Sequence, residues 1–189
     1  RFIGLLMLKA VLDACVIYPA PIRDLLLSLA DVGLFKPFWS DEINKEWGRN
    51  LMIKRPDISP IKIALTVQAM NASFPDAKIK LDESIISHLN LPDLNDLHVL
   101  ATAISSGSSY IITSNLKDFP NDQLRQFSIE AIDPDSFILN LFREQEVLAN
   151  FAFENQIKRL KDPPLSKTEV LAIFEKLGLI QTSRHIKGL

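Results

Sequence analysis

Acidic and amide side chains are concentrated in one stretch of the sequence, LPDLNDLHVLATAISSGSSYIITSNLKDFP, residues 91–120. They flank apolar segments, and they are Asp93, Asn95, Asp96, Asn115 and Asp118. Asp and Asn are favoured helix caps and turn residues, which is one explanation for this pattern. Side-chain oxygens are also the ligands that hard divalent cations such as Mg²⁺ prefer, which is the other. The sequence therefore indicates either structural caps or the walls of a cation site.

Two earlier segments carry acids that could join the same site. Asp13 directly follows the apolar run KAVL. Glu42 and Glu46 are four residues apart and share one face of a helix, where like charges repel unless a cation lies nearby. Taken singly, each acid has an ordinary explanation: Asp93 or Asn95 as an N-cap, and Glu42 as an acid favoured by the helix dipole. Only their joint position distinguishes the two explanations.

Strand and helix patterns alternate along the chain, which predicts an α/β domain with a mostly parallel central sheet. The predicted strands are KAVLD, LFKPFW, SYIIT and FSIEAI, and KIKLD is ambiguous between strand and loop. Helices are predicted at residues 19–31, 40–52, 59–72 and 96–106. Ligands of such sheets bind beyond the carboxyl ends of the strands. We therefore expect the acids and the amide at these positions to face one end of the sheet: Asp13, Asp93, Asp96, Asn115 and Asp118.

The pattern changes to helices alone after DPDSFILNLF. This change divides the chain into an α/β domain, residues 7–142, and a helical C-terminal extension, residues 143–189. Ser166 and Glu169 form a capping-box pattern, which predicts a final helix from Lys167 to Leu177. The acids of the extension do not follow the strand-end pattern, so we expect none of them at the cation site.

Composition sets limits on the class of protein. The chain has 189 residues, 47% hydrophobic and 23% charged, which is typical of one globular core with a small appendage. Lys9 and Asp13 interrupt the apolar N-terminal stretch, which is too short for a membrane span and lacks a signal-peptide cleavage site. We expect a buried strand there, and we assign no function to the six residues before Met7. The single cysteine, Cys15, favours a cytoplasmic location.

At a net charge of −2, the chain lacks the basic character of a typical nucleic-acid binder and would need a local cationic patch. The segment KEWGRNLMIKRP offers Lys45, Arg49, Lys54 and Arg55 with Trp47 between them. These cations could bind phosphates while Trp47 stacks on a base. The alternative is that Trp47 belongs to the core and the cations are ordinary solvated side chains.

The segments VLDACVIYP, SDEINKEW, LPDLNDLHVLATAI and IITSNLKDFP, in this order and spacing, resemble the PIN domain, the metal-dependent ribonuclease fold of VapC-type toxins. The resemblance covers residues 7–142. It implies that Asp13 is the first acid of the site, Glu46 the acid within the second helix, and Asp96 the acid that opens the later helix, with Asp93 as a further contributor.

The last position of the motif departs from the commonest pattern, which has Asp after T-x. Asn115 stands there instead, and Asp118 follows three residues later. A neutral amide can ligate a divalent ion but adds no charge, so Asp118 would supply it. The resemblance thus implies a metal set of Asp13, Glu46, Asp93, Asp96, Asn115 and Asp118, with Asp13, Glu46, Asp96 and Asp118 as the catalytic acids.

The resemblance implies an Mg²⁺- or Mn²⁺-dependent endoribonuclease, the toxin of a toxin-antitoxin pair, with transfer or ribosomal RNA as substrate. A cognate antitoxin and a second copy of the chain are the protein partners it suggests. A catalytically degraded PIN-like module that binds RNA or protein is the alternative, because Asn115 lacks a charge. A phosphoacceptor receiver fits less well, because IITSNLKDF does not clearly supply the required strand-end Lys.

Four other polar residues near these motifs have more ordinary predicted roles. His98 is a poor ligand beside so many carboxylates, and its apolar neighbours favour a packed or capping histidine. Cys15 is expected to be a small packing residue. Thr113 and Ser114 could orient a water or a phosphate, although a turn hydroxyl is the simpler explanation for Ser114.

Overall fold

The structure is a computed structural model that describes residues 7–188, so the six residues before Met7 lie outside the described part. Its centre is a five-stranded sheet in the order β3-β2-β1-β4-β5, in which every neighbouring pair of the described strands is parallel. The strands are β1 (Lys9–Leu12), β2 (Lys36–Ser40), β3 (Lys78–Ile79), β4 (Tyr110–Ile112) and β5 (Glu130–Ile132). The prediction of an α/β fold with a parallel sheet is confirmed.

Eleven helices are described in residues 7–188, together with short 3₁₀ turns at Leu94–Asp96, Leu116–Asp118 and Arg125–Phe127. Those before the extension are α1 (Ala14–Ile17), α2 (Ala20–Asp31), α3 (Asp41–Lys54), α4 (Pro60–Ser73), α5 (Glu83–Ile86), α6 (Leu97–Ser106) and α7 (Asn121–Leu124). The connection through α2 leads from β1 to β2, whereas the one through α6 leads from β3 back to β4. Right-handed connections that run in opposite directions along a sheet place their helices on opposite faces, which produces three layers.

Buried apolar residues fix the position of α3, the helix that carries Glu46. Ser40 caps it, because its hydroxyl accepts a hydrogen bond from the Ile43 backbone N–H at 3.2 Å. Ile43 and Trp47 lie four residues apart and are both fully buried. This pairing anchors one side of α3 in the core and leaves the opposite side at the surface.

The helical extension packs against the α/β domain through α2. It contains α8 (Pro134–Glu144), α9 (Glu146–Arg159), α10 (Lys167–Lys176) and α11 (Ile180–Lys187). Phe153 of α9 and Phe174 of α10 are both fully buried, with ring centroids 5.8 Å apart. The first of these helices, α8, begins before the predicted domain boundary at residue 142 and ends after it. The boundary itself stays a prediction.

The capping box of α10 is confirmed, because the Ser166 hydroxyl and the Glu169 carboxylate accept each other's backbone N–H groups. The prediction that α10 is the last helix is wrong. Gly178, with φ of +94°, ends α10, and α11 follows directly. The Asp135 carboxylate accepts the backbone N–H groups of Gln181 and Thr182, each at 2.9 Å, so the start of α11 is stabilised by a residue distant in sequence.

No helix between residues 7 and 188 is long and apolar enough to cross a membrane.

Candidate metal centre at the carboxyl end of the sheet

Two adjacent parallel strands deliver polar residues to the same edge of the sheet. β1 and β4 pair through Leu12 and Ile112, and Asp13 and Thr113 are the next residue on each strand. The Asp13 backbone N–H donates to the Ile112 carbonyl at 3.1 Å. Asp13 is only 3% exposed, so its carboxylate lies at the floor of this edge.

Both oxygens of the Asp13 carboxylate accept hydrogen bonds. Oδ2 accepts from the Thr113 hydroxyl at 2.7 Å and from the Cys15 thiol at 3.2 Å, and Oδ1 accepts from the Ala14 N–H at 2.6 Å. Burial raises the pKa of Asp13, as does the charge of Glu46, and these effects outweigh the hydrogen bonds that lower it. The carboxylate is therefore held in one orientation in a place that disfavours its negative charge.

Above this floor, an open pocket is formed by α3, the turn before α6 and the turn after β4. Five of the predicted ligands line it: Glu46, Asp93, Asp96, Asn115 and Asp118. Glu42, Lys45, Arg49, Asn95 and His98 complete its wall. No residue of the extension that the structure describes contributes to this pocket. The structure thus brings all six predicted ligands to one end of the sheet, with Asp13 beneath the other five.

Asp96 is partly buried and lies near four other acids, and both conditions raise its pKa. Burial, followed by the charges of Asp13, Asp93, Asp118 and Glu46, raises the pKa of Asp96 from its ordinary value of 3.8 to about 7. The five carboxylates therefore interact electrostatically. Bringing a divalent cation among them would relieve the repulsion and favour the ionised form of Asp96.

The two explanations for the acids before α6 can now be separated. The Asp93 carboxylate accepts from the Asn95 backbone N–H at 2.9 Å and from the Asn95 side-chain amide at 2.9 Å, so it caps the turn. The Asp96 side chain makes no capping hydrogen bond, although Asp96 stands at the start of α6. A capping role accounts for Asp93 and leaves Asp96 without a structural explanation.

His98 is closer to the site than its sequence context predicted. Its Nδ1 lies 2.6 Å from the Asn95 carbonyl, while Nε2 lies 3.4 Å from Glu46 Oε2. Burial acts to lower the pKa of His98, but the contacts with Glu46 and the Asn95 carbonyl outweigh it and raise the pKa. The Glu46 carboxylate therefore stabilises the protonated form of the ring relative to a free histidine. No pattern in the sequence signals this contact, because it depends on how α3 packs beside α6.

The donor set suits a hard cation in type and charge. Carboxylate and amide oxygens without a thiolate are the ligands of Mg²⁺ or Mn²⁺ rather than of zinc. Among residues 7–188, no three His, Cys, Asp or Glu side chains are already arranged as the ligands of one ion. Burial, followed by the charges of neighbouring acids, raises the pKa values of Asp13 and Asp96, so a cation at this pocket would stabilise their ionised forms.

The structure supports the core alternative for Trp47, contradicts the role considered for Thr113, and adds contacts to the packing expected of Cys15. Trp47 is fully buried and donates its indole N–H to Asn44 at 2.9 Å, so it cannot stack on a base. The Thr113 hydroxyl is fully buried against Asp13 and is not available to orient a water or a phosphate. Cys15 does more than pack: its thiol contacts Asp13, and its sulfur accepts the Ser114 N–H at 3.2 Å.

Comparison with known proteins matches the two parts of the chain to two family models. A PIN domain model matches residues 9–117, and a VapC50 C-terminal domain model matches residues 134–188. A similar relative is the protein named "Putative ribonuclease VapC50" from Mycobacterium tuberculosis (strain ATCC 25618 / H37Rv), 34% identical over 76 residues. That alignment covers 40% of this chain and 45% of the relative. Because the PIN domain model matches more than half of the chain, on a fold with acids at the expected strand ends, the chain belongs to the PIN domain family.

Proposed function

We propose that the chain is an Mg²⁺- or Mn²⁺-dependent endoribonuclease that hydrolyses RNA phosphodiester bonds. The observation that carries the proposal is the group of carboxylates from separate segments at the carboxyl end of the sheet, where the pKa of Asp96 rises to about 7. Membership of the PIN domain family and the similarity to a protein named as a ribonuclease support the same activity.

In this proposal Asp13, Glu46, Asp96 and Asp118 hold the cation, and Asn115 adds a neutral oxygen. Asp93 lies at the edge of the site, since its carboxylate caps a turn. A bound divalent cation lowers the pKa of a water and neutralises charge on the scissile phosphate.

Three neighbouring residues hold the acids in position and do not contact the cation themselves. Thr113 and Cys15 orient Asp13 through their hydrogen bonds, and His98 positions Glu46. Burial and the neighbouring Asp13 charge raise the pKa of the Cys15 thiol to about 12, so Cys15 is not a nucleophile at neutral pH. Hydrolysis would therefore use water and proceed without a covalent enzyme intermediate.

The alternative, a PIN-like module that binds RNA or protein without cleaving it, rests on the neutral Asn115 at the position where an acid is commonest. Metal-dependent activity separates the two functions. Under the nuclease proposal, Mn²⁺ raises the unfolding temperature of the wild type and total RNA is cleaved to products with 5′-phosphate and 3′-hydroxyl ends, while EDTA abolishes both effects. The variant Asp13→Asn, purified identically, controls for contaminating ribonucleases. A wild type that is inert towards RNA and unaffected by Mn²⁺ would favour the binding module.

We also propose that the chain is the toxin of a toxin-antitoxin pair, active in the cytoplasm on transfer or ribosomal RNA. Its extension would contact the antitoxin or a second copy of the chain. Exposed apolar side chains on α9 support this role: Val147 is 82% exposed and Phe151, four residues later, is 56% exposed. Residues four apart share one face of a helix, and large exposed apolar patches often mark protein contact sites.

Point variants test the extension better than truncation, because Ala149 and Phe153 of α9 are buried and their removal would expose the core. The double variant Val147→Ser/Phe151→Ser should lose antitoxin co-purification or the dimeric mass measured by light scattering, with RNA cleavage unchanged. Glu154→Ser, an exposed polar site on the same helix, is the matched control. Unchanged association in the double variant would remove the partner role from this surface.

A further inference from the structure

Two cations stand at the mouth of the acidic pocket, on the same side of α3 as its acids. Lys45 and Arg49 are one helical turn apart and alternate with Glu42 and Glu46, so the four side chains form one stripe along the helix. Both cations are exposed. Within residues 7–188, neither forms a salt bridge with a carboxylate within 4.0 Å, and neither lies over an aromatic ring.

The other two cations of this segment are already engaged. Lys54 Nζ lies 5.0 Å from the centroid of the Tyr18 ring. Arg55 donates two hydrogen bonds to the Asp57 carboxylate, at 2.8 and 2.7 Å. Neither of them lines the acidic pocket. The four cations of this segment therefore form two pairs. Lys45 and Arg49 lie at the pocket without a carboxylate or aromatic partner among the described residues, whereas Lys54 and Arg55 lie away from the pocket and have such partners.

Lys45 and Arg49 can offset the repulsion between the acidic pocket and the phosphates of an RNA. The acids of the pocket repel a polyanion, and a divalent cation offsets only part of their charge at the single phosphate that it contacts. The phosphates on either side of that position still need cations, and the protein as a whole, at net charge −2, does not provide them. A Lys and an Arg one turn apart, with Cβ atoms about 5–6 Å from each other, offer two adjacent phosphate contacts.

We propose that Lys45 and Arg49 form a phosphate clamp, which binds the RNA phosphates that flank the scissile one and presents the chain of the RNA to the acids. This inference rests on the proposed ribonuclease function and names the residues that hold its substrate. The clamp contributes to binding in the ground state and in the transition state alike. Its loss should therefore raise KM and leave kcat nearly unchanged.

The test compares two double variants that change the net charge equally: Lys45→Gln/Arg49→Gln at the pocket and Lys54→Gln/Arg55→Gln away from it. Binding of a short fluorescein-labelled single-stranded RNA is measured in EDTA, which stops metal-dependent cleavage, at salt concentrations from about 50 to 200 mM. Each phosphate contact contributes about −0.7 to the slope of log K against log salt on a single strand. The clamp variant should therefore have a slope shallower by about 1.4, with the control variant matching the wild type.

The second measurement is cleavage in Mn²⁺ at varied RNA concentration. Two exposed phosphate contacts of about 0.2–1 kcal/mol each predict a KM raised about 2- to 30-fold in the clamp variant, at nearly constant kcat. Equal salt slopes in both double variants would overturn the clamp, whether or not the wild type cleaves RNA. A slope reduced only in the clamp variant, together with a wild type that never cleaves, would support the clamp and overturn the nuclease function instead.

Discussion

Replacing Asp96 by Asn separates a structural acid from a metal ligand, because the two roles predict opposite effects. The Asp96 side chain makes no capping hydrogen bond, and Asn serves about as well as Asp at that position, so the change should leave the helix start intact. Burial, followed by repulsion from the neighbouring acids, raises the pKa of Asp96 to about 7, and the change removes the negative charge that both effects disfavour. We therefore expect the metal-free variant to be more stable than the wild type, with metal affinity and RNA cleavage lost.

The magnitude follows from the pKa of Asp96. The folded protein holds a proton on Asp96 at pH values where the unfolded chain, with the ordinary pKa of 3.8, has released it. This difference in proton binding contributes to the free energy of unfolding. The contribution is fully present below pH 3.8 and is lost as the pH rises to about 7. At about 1.4 kcal/mol per pKa unit, the loss would approach about 4 kcal/mol for a fully buried group. Asp96 is only half-buried, so solvent screening reduces it to about 1–2 kcal/mol.

The Asp96→Asn variant has no ionisable group at this position, so it does not lose this stability as the pH rises. Its unfolding temperature in EDTA at pH 8 should exceed that of the wild type by about 2–8 °C, and the difference should shrink at pH 5. Thermal unfolding in EDTA and in Mn²⁺, at both pH values, is combined with cleavage of total RNA. Asp82→Asn is the control, because Asp82 caps α5 and does not line the acidic pocket. If Asp96→Asn kept Mn²⁺-induced stabilisation and cleavage, the reasoning would be refuted.

Three further predictions concern the neighbours of the site and the extension. Thr113→Val removes the hydrogen bond to Asp13, which should cost about 1–2 kcal/mol in urea unfolding and weaken Mn²⁺ binding, whereas Thr113→Ser should retain both. Cys15, with a thiol pKa of about 12, should react with a disulfide reagent at pH 8 only after unfolding, and rapid labelling of the folded protein would contradict this. Asp135→Ala removes two backbone hydrogen bonds at the start of α11 and should lower the free energy of unfolding by about 2–4 kcal/mol, with RNA cleavage intact below the melting transition.

Local sequence determined the elements and the location of the acids along them. The apolar run KAVL, the Ser40 cap and the capping box at Ser166 and Glu169 act over a few residues, so pattern alone predicted β1, α3 and α10. A residue that follows a parallel strand must lie at the carboxyl end of the sheet. For that reason the sequence also predicted which acids would share one end.

Only the tertiary structure decided which neighbours those acids have. The pairing of β1 with β4 sets Thr113 against Asp13, 100 residues away in sequence, and the packing of α3 beside α6 sets His98 against Glu46. The same packing buries Trp47 and leaves Lys45 and Arg49 at the pocket. The sequence of the segment that contains all three residues does not show which of them are buried. Hydrogen bonds, burial and pKa values depend on distances between elements, and the periodicity of a single element carries no information about those distances.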